Sequence, residues 1–149
     1  NQIGLHGISL GASATIFAAA AEPQIKAIWS DSSLAEFKLI LKDEIARYGM
    51  PNIFGPAVSF AGKFLTGINP IDLSPSKKLT QKQNYFFVHG EKDKRVLVHH
   101  FDYFKEYSKK NNINSTFWLA ADSYHVDAMF KYSDEYSEKM KVFFEKNLK

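Results

Sequence analysis

His6-Gly7-Ile8-Ser9-Leu10-Gly11-Ala12 is the stretch on which the fold turns. It contains a G-x-S-x-G pattern. An apolar run at residues 3–5, with Ile3 and Leu5, precedes it. An Ala-rich stretch of high helix propensity, 12–21, follows and stops at Glu22-Pro23. The pattern therefore joins a strand to a helix. On such a turn a Ser hydroxyl stands exposed, and the helix behind it aims free N–H groups at a developing negative charge. Both glycines are expected to relieve clashes in so sharp a bend. Composition alone predicts roughly 0.04 such matches in this chain, so context must carry the rest. The plainer reading is a Gly-rich turn with Ser9 as a helix N-cap.

Working outward, a second apolar run at 25–29 ends in the polar cluster Ser30-Asp31-Ser32-Ser33. Ser33-Leu34-Ala35-Glu36 fits a capping box. It predicts a helix starting there, with Leu34, Phe37, Leu41 and Ile45 on one face and Gly49 and Pro51 at its end. Residues 50–83 are irregular and hold four of the five Pro. They also carry Ile53, Phe54, Val58, Phe60, Phe64, Leu65 and Ile68. A cap- or lid-like insertion with one short helix near 57–65 is expected here. Strand-like runs at 85–88 and 115–119 alternate with helical patterns at 96–111 and 126–147.

Strand–helix alternation of this kind implies parallel strands joined by right-handed crossovers. The expected class is α/β, a mostly parallel sheet of about four strands with helices on both faces. Function in such sheets gathers at the C-terminal strand ends.

Composition narrows the chemistry. The chain has 149 residues, 45% hydrophobic and 23% charged, which suits one folded domain. Its 13 Phe promise a large core or an apolar pocket. With no Cys, disulfides, thiolate metal sites and a cysteine nucleophile are excluded. No apolar run approaches the ~20 residues of a membrane-spanning helix. The net charge of +3 comes from basic residues scattered among acidic ones, unlike a nucleic-acid face. No motif calls for a cofactor or a metal.

A serine nucleophile needs a base, and the base an orienting acid. Of the five His, His6 precedes the elbow, His89 ends a strand, and His99 and His100 are adjacent in a helix start. Their adjacent spacing does not form a metal-binding face. His125 lies in the loop after the last strand, Ala120-Ala121-Asp122-Ser123-Tyr124-His125, and is the preferred base. Asp93, on the turn His89-Gly90-Glu91-Lys92-Asp93, is the preferred acid, although a turn Asp also caps helices well. Asp31 is its rival. Asp122 and Asp127 lie too near His125 in sequence. The resulting chain order is Ser9, Asp93, His125: nucleophile, acid, base.

The elbow around Ser9, the turn from Phe87 to Val96 and the loop ending at His125 together resemble the α/β-hydrolases. They are closest to the prolyl-oligopeptidase-like and bacterial esterase-like branch, over essentially the whole chain. The resemblance implies Ser9 as nucleophile, His125 as general base, Asp93 as its orienter and the Leu10 N–H as one oxyanion donor. It also implies a partial fold, a C-terminal half, because family members carry further strands before the elbow strand. A second oxyanion donor sits among those strands. Residues 3–5 are then expected to form a sheet edge that pairs with that missing half or with a second copy. His6, Asp31, Ser32, Phe54 and Phe60 are candidates for a substrate pocket. The implied reaction is hydrolysis of a small ester or amide, esterase-like first. The alternatives are a peptidase and a non-catalytic or dimerising fragment.

Overall fold

The computed structural model describes residues 2–51 and 53–148. The elements run β1 (Ile3–Ile8), α1 (Ser9–Ala21), β2 (Ile25–Asp31), α2 (Phe37–Arg47), α3 (Phe54–Thr66), β3 (Asn84–Gly90), α4 (His99–Lys110), β4 (Ser115–Ala120), α5 (Ala128–Lys131) and α6 (Ser133–Asn147). Two 3-10 turns, Pro70–Asp72 and Ser76–Lys78, lie between α3 and β3. The four strands pair in parallel in the order β1-β2-β3-β4. This is the α/β architecture expected.

Side-chain alternation along the strands splits the core in two. On one face Ile28, Tyr85 and Phe87 pack with Ile16 of α1 and Phe101 and Phe104 of α4. On the other, Trp29, Phe86 and Val88 pack with Tyr136 and Phe143 of α6. Trp29 stacks on Phe86 with ring centroids 4.1 Å apart. Both faces of β2 and β3 are thus covered, which is why these strands read as continuous apolar runs.

Three local expectations are corrected. The capping box does not form, and α2 begins at Phe37 without a side-chain cap. Ser33 is buried, and its hydroxyl hydrogen-bonds the Ser13 hydroxyl at 2.9 Å. Glu36 Oε1 instead accepts from Tyr103 Oη at 2.8 Å. Tertiary partners have taken both groups that a capping box would use. The helix expected to start at 96 begins three residues later. There, Asp93 Oδ1 accepts the N–H groups of Arg95 and Val96 at 2.8 and 3.0 Å and holds the chain in a turn. The long final helix is broken at Tyr132, whose φ/ψ of −120°/41° leaves the helical region. Its hydroxyl donates to Ala121 O at 2.9 Å, tying the break to the loop after β4.

Residues 50–83 carry α3 and the two 3-10 turns. The helix is longer than expected and rests on its small-residue side. Ser59 is buried and donates to Asn69 Oδ1 at 2.7 Å. The larger apolar residues point outward: Phe60 is 72% and Phe64 81% exposed.

Candidate active site

All four strands end at one edge of the sheet, and the loops that leave them converge there. Ser9 occupies the bend between β1 and α1 with φ +52°. That is an unusual backbone for a residue with a Cβ, worth about 1–3 kcal/mol of strain. The bend is tight: a Cβ on Gly7 would meet Ala12 Cα and Gly11 O at 2.7 Å. Gly11 differs from the expectation. A Cβ there would meet nothing within 4 Å, because it points away from the bend.

His125 Nε2 lies 2.9 Å from Ser9 Oγ, and His125 Nδ1 lies 2.7 Å from Asp93 Oδ2. The carboxylate can only accept, so Nδ1 carries the proton. The Nε2 lone pair then faces the Ser9 hydroxyl. Burial alone would raise the Asp93 carboxyl. The His125 hydrogen bond, the Arg95 N–H and the neighbouring imidazoles outweigh burial and hold it below the usual carboxylate range. The arrangement can accept a proton from Ser9 while its oxygen attacks, and stabilise the imidazolium that forms. Leu10, 60% exposed, is the second residue of α1, so its N–H has no carbonyl partner within the helix.

The turn that carries Asp93 is braced from below. His89 is buried, and burial lowers its pKa, so the ring stays neutral. Its Nε2 donates to Val96 O at 2.8 Å. The acid turn and the His125 loop also touch through backbone: Lys92 N–H donates to Ser123 O at 2.8 Å. A Cβ on Gly90 would meet Tyr124 O at 2.2 Å, so only glycine lets the two segments approach.

Asp31 does not take the acid position. It is fully buried. Its Oδ1 accepts from Ser32 Oγ at 2.8 Å and its Oδ2 from Tyr136 Oη at 3.0 Å. Burial pushes its pKa up against those two bonds. Ser32 is equally buried, so it faces the protein interior and not an open pocket. His6 Nε2 lies 3.2 Å from the same Tyr136 hydroxyl. Phe54 and Phe60 are exposed on α3. They line neither the apolar slot beside the elbow, formed by Leu10, Ala14, Phe17, Phe37 and Leu73, nor the groove between α2 and α3.

His99 and His100 are brought together with Asp43, whose Oδ2 lies 2.8 and 3.2 Å from their Nε2 atoms. No spacing rule could have revealed this, since Asp43 comes from α2. The cluster is ill suited to a metal. Buried His100 accepts the Ala35 N–H at Nδ1, 3.0 Å away, so its Nε2 must carry the proton and has no lone pair for an ion.

The prolyl oligopeptidase family model matches residues 1–149. A search of curated proteins returns no match. Among solved structures, an esterase from Pyrococcus furiosus superposes with a TM-score of 0.72 at 21% identity, covering 99% of this chain and 54% of its own. An acylaminoacyl peptidase from Pyrococcus horikoshii gives a TM-score of 0.74 at 18% identity, covering 99% of this chain and 24% of its own. A puromycin-hydrolyzing peptidase from Mycobacterium tuberculosis gives 0.62 at 15% identity, covering 82% and 18%. These likenesses establish the fold. The chain spans about half the length of the esterase and about a quarter of the acylaminoacyl peptidase.

Proposed function

Because the chain belongs to the prolyl oligopeptidase family, we propose that it carries the catalytic triad of a serine hydrolase acting on esters or amides. Ser9 is the nucleophile, His125 the general base and Asp93 the group that orients it. One observation carries the reading: the unbroken hydrogen-bond chain from Ser9 Oγ through His125 to Asp93.

Ser9 Oγ attacks the substrate carbonyl as its proton passes to His125 Nε2. The oxyanion that forms faces the start of α1, where the Leu10 N–H is one donor; an oxyanion hole calls for a second. Losing one such donor costs about 2.7–4 kcal/mol in a comparable enzyme, so the second matters. His125 then protonates the leaving group, giving an acyl-Ser9 ester. A water deprotonated by His125 releases the acid and restores Ser9. The apolar slot beside Leu10 supports an apolar acyl group. The sheet edge at β1 is the place for a further strand, from the rest of a longer protein or a second copy.

The neighbours named above include an esterase and peptidases, so an amide bond is the second substrate class. The test is labelling of the full-length protein by a fluorophosphonate, read by intact mass. A single adduct, absent in Ser9→Ala, is the expected result. An adduct that persists in Ser9→Ala removes Ser9 from its role, and no adduct at all removes the hydrolase reading.

A further inference from the structure

The loop that carries His125 is bent into a shape it would not keep by itself. Val126 has φ +59°, a conformation that a β-branched residue rarely adopts. The front of the loop is held by Lys92 N–H on Ser123 O. Behind His125 the hold is different: Val126 N–H donates to Ser32 Oγ at 3.2 Å.

Ser32 is well placed to hold it. Its own N–H donates to Val88 O at 2.9 Å, so its backbone is bound to the sheet. Its hydroxyl proton goes to Asp31 Oδ1 at 2.8 Å, which turns the oxygen lone pairs toward Val126. Asp31 is itself fixed by Tyr136 Oη, which accepts from Trp29 Nε1 at 2.8 Å. Asp31, Ser32 and Trp29 are fully buried. A chain of hydrogen bonds therefore runs from the aromatic core to the residue directly after His125.

We infer that Ser32, oriented by Asp31, is a positioning residue: its hydroxyl holds the Val126 N–H and thereby keeps the His125 imidazole in line with Ser9. The inference rests on the serine-hydrolase reading for its consequence in turnover, though the geometry it asserts does not. Ser32 adopts φ +53°, so glycine suits its backbone, and the substitution removes the Cβ together with the hydroxyl. In the full-length protein Ser32→Gly should fold normally, keep KM and lose about 100-fold in kcat, the usual scale for a small misplacement of a reacting group. Asp31→Asn still offers an oxygen to the Ser32 hydroxyl and should retain kcat. Asp31→Ala should lose as much as Ser32→Gly, and the double variant no more than either.

A second readout needs no turnover: the NMR resonance of the His125 Nδ1 proton bonded to Asp93. It should persist in Asp31→Asn and broaden or vanish in Ser32→Gly. A folded Ser32→Gly protein with wild-type kcat and an intact resonance overturns the inference. If Ser32→Gly does not fold, Asp31→Ala carries the same comparison. If the wild type fails to react with a fluorophosphonate, the hydrolase reading falls. The resonance then decides by itself whether Ser32 holds His125.

Discussion

Gly7 and Gly11 flank the same serine, yet their surroundings differ. At Gly7 the would-be Cβ runs into the backbone of α1, which cannot yield, whereas at Gly11 the space is open. Gly7→Ala should destabilise the chain by about 1–3 kcal/mol through overpacking. Gly11→Ala should instead stabilise it by about 0.5–1 kcal/mol, because alanine holds a helix better than glycine. Chemical denaturation of the two variants checks both signs. The same scale governs Asp93. Asparagine there can present an amide N–H to His125 and favour the wrong tautomer. Asp93→Asn should cost about 10,000-fold in kcat, measured as ester turnover, with the fold intact.

Among the elements, α3 departs most from the usual pattern. It turns small residues inward and large apolar ones outward, with Phe60, Phe64 and Leu65 all more than 70% exposed. Surface substitutions away from caps and buried groups change stability by no more than about 0.5 kcal/mol. Phe60→Ser and Phe64→Ser should therefore leave the melting temperature of this chain unchanged, as read by calorimetry. A marked drop would mean that this face is covered in solution. Irregular patterning, Pro content and apolar residues marked residues 50–83 as a candidate cap. Helical spacing puts Phe54, Val58, Phe60, Phe64 and Leu65 on one stripe, which would ordinarily face the core, and only the structure shows that it faces outward.

For the whole molecule, buried titratable groups set the response to acid. His100 is pushed down to about 4 by burial and by His99. Unfolded, it would titrate near 6.5. Between those values the unfolded chain binds a proton that the folded chain refuses, so His100's contribution to stability is lost as pH falls through that window. Asp31 works in the opposite sense. Its folded pKa is raised, so its contribution is full below the unfolded value and lost as pH rises through the folded one. Asp31→Asn should raise the stability of the chain at pH 7 and lose that advantage near pH 3. Urea unfolding at the two pH values decides it.

The order of strands and helices, the parallel sheet and the placing of Ser9, Asp93 and His125 at one edge of it could all be read from sequence. The physical reason is local: each of the three sits in the turn directly after an apolar strand, and parallel strands bring all such turns to one edge. What only the tertiary structure decided is how the remaining polar groups are spent. Ser33 and Glu36 read as a capping box, yet each found a partner far along the chain. Asp31 read as a rival acid, yet burial beside Tyr136 and Ser32 gave it another task. Tyr136 lies inside the helical pattern at 126–147 and carries no sequence signal of its hydrogen bond to Asp31. Hydrogen bonds between distant segments leave no periodicity in a sequence, because their partners are chosen by packing rather than by spacing.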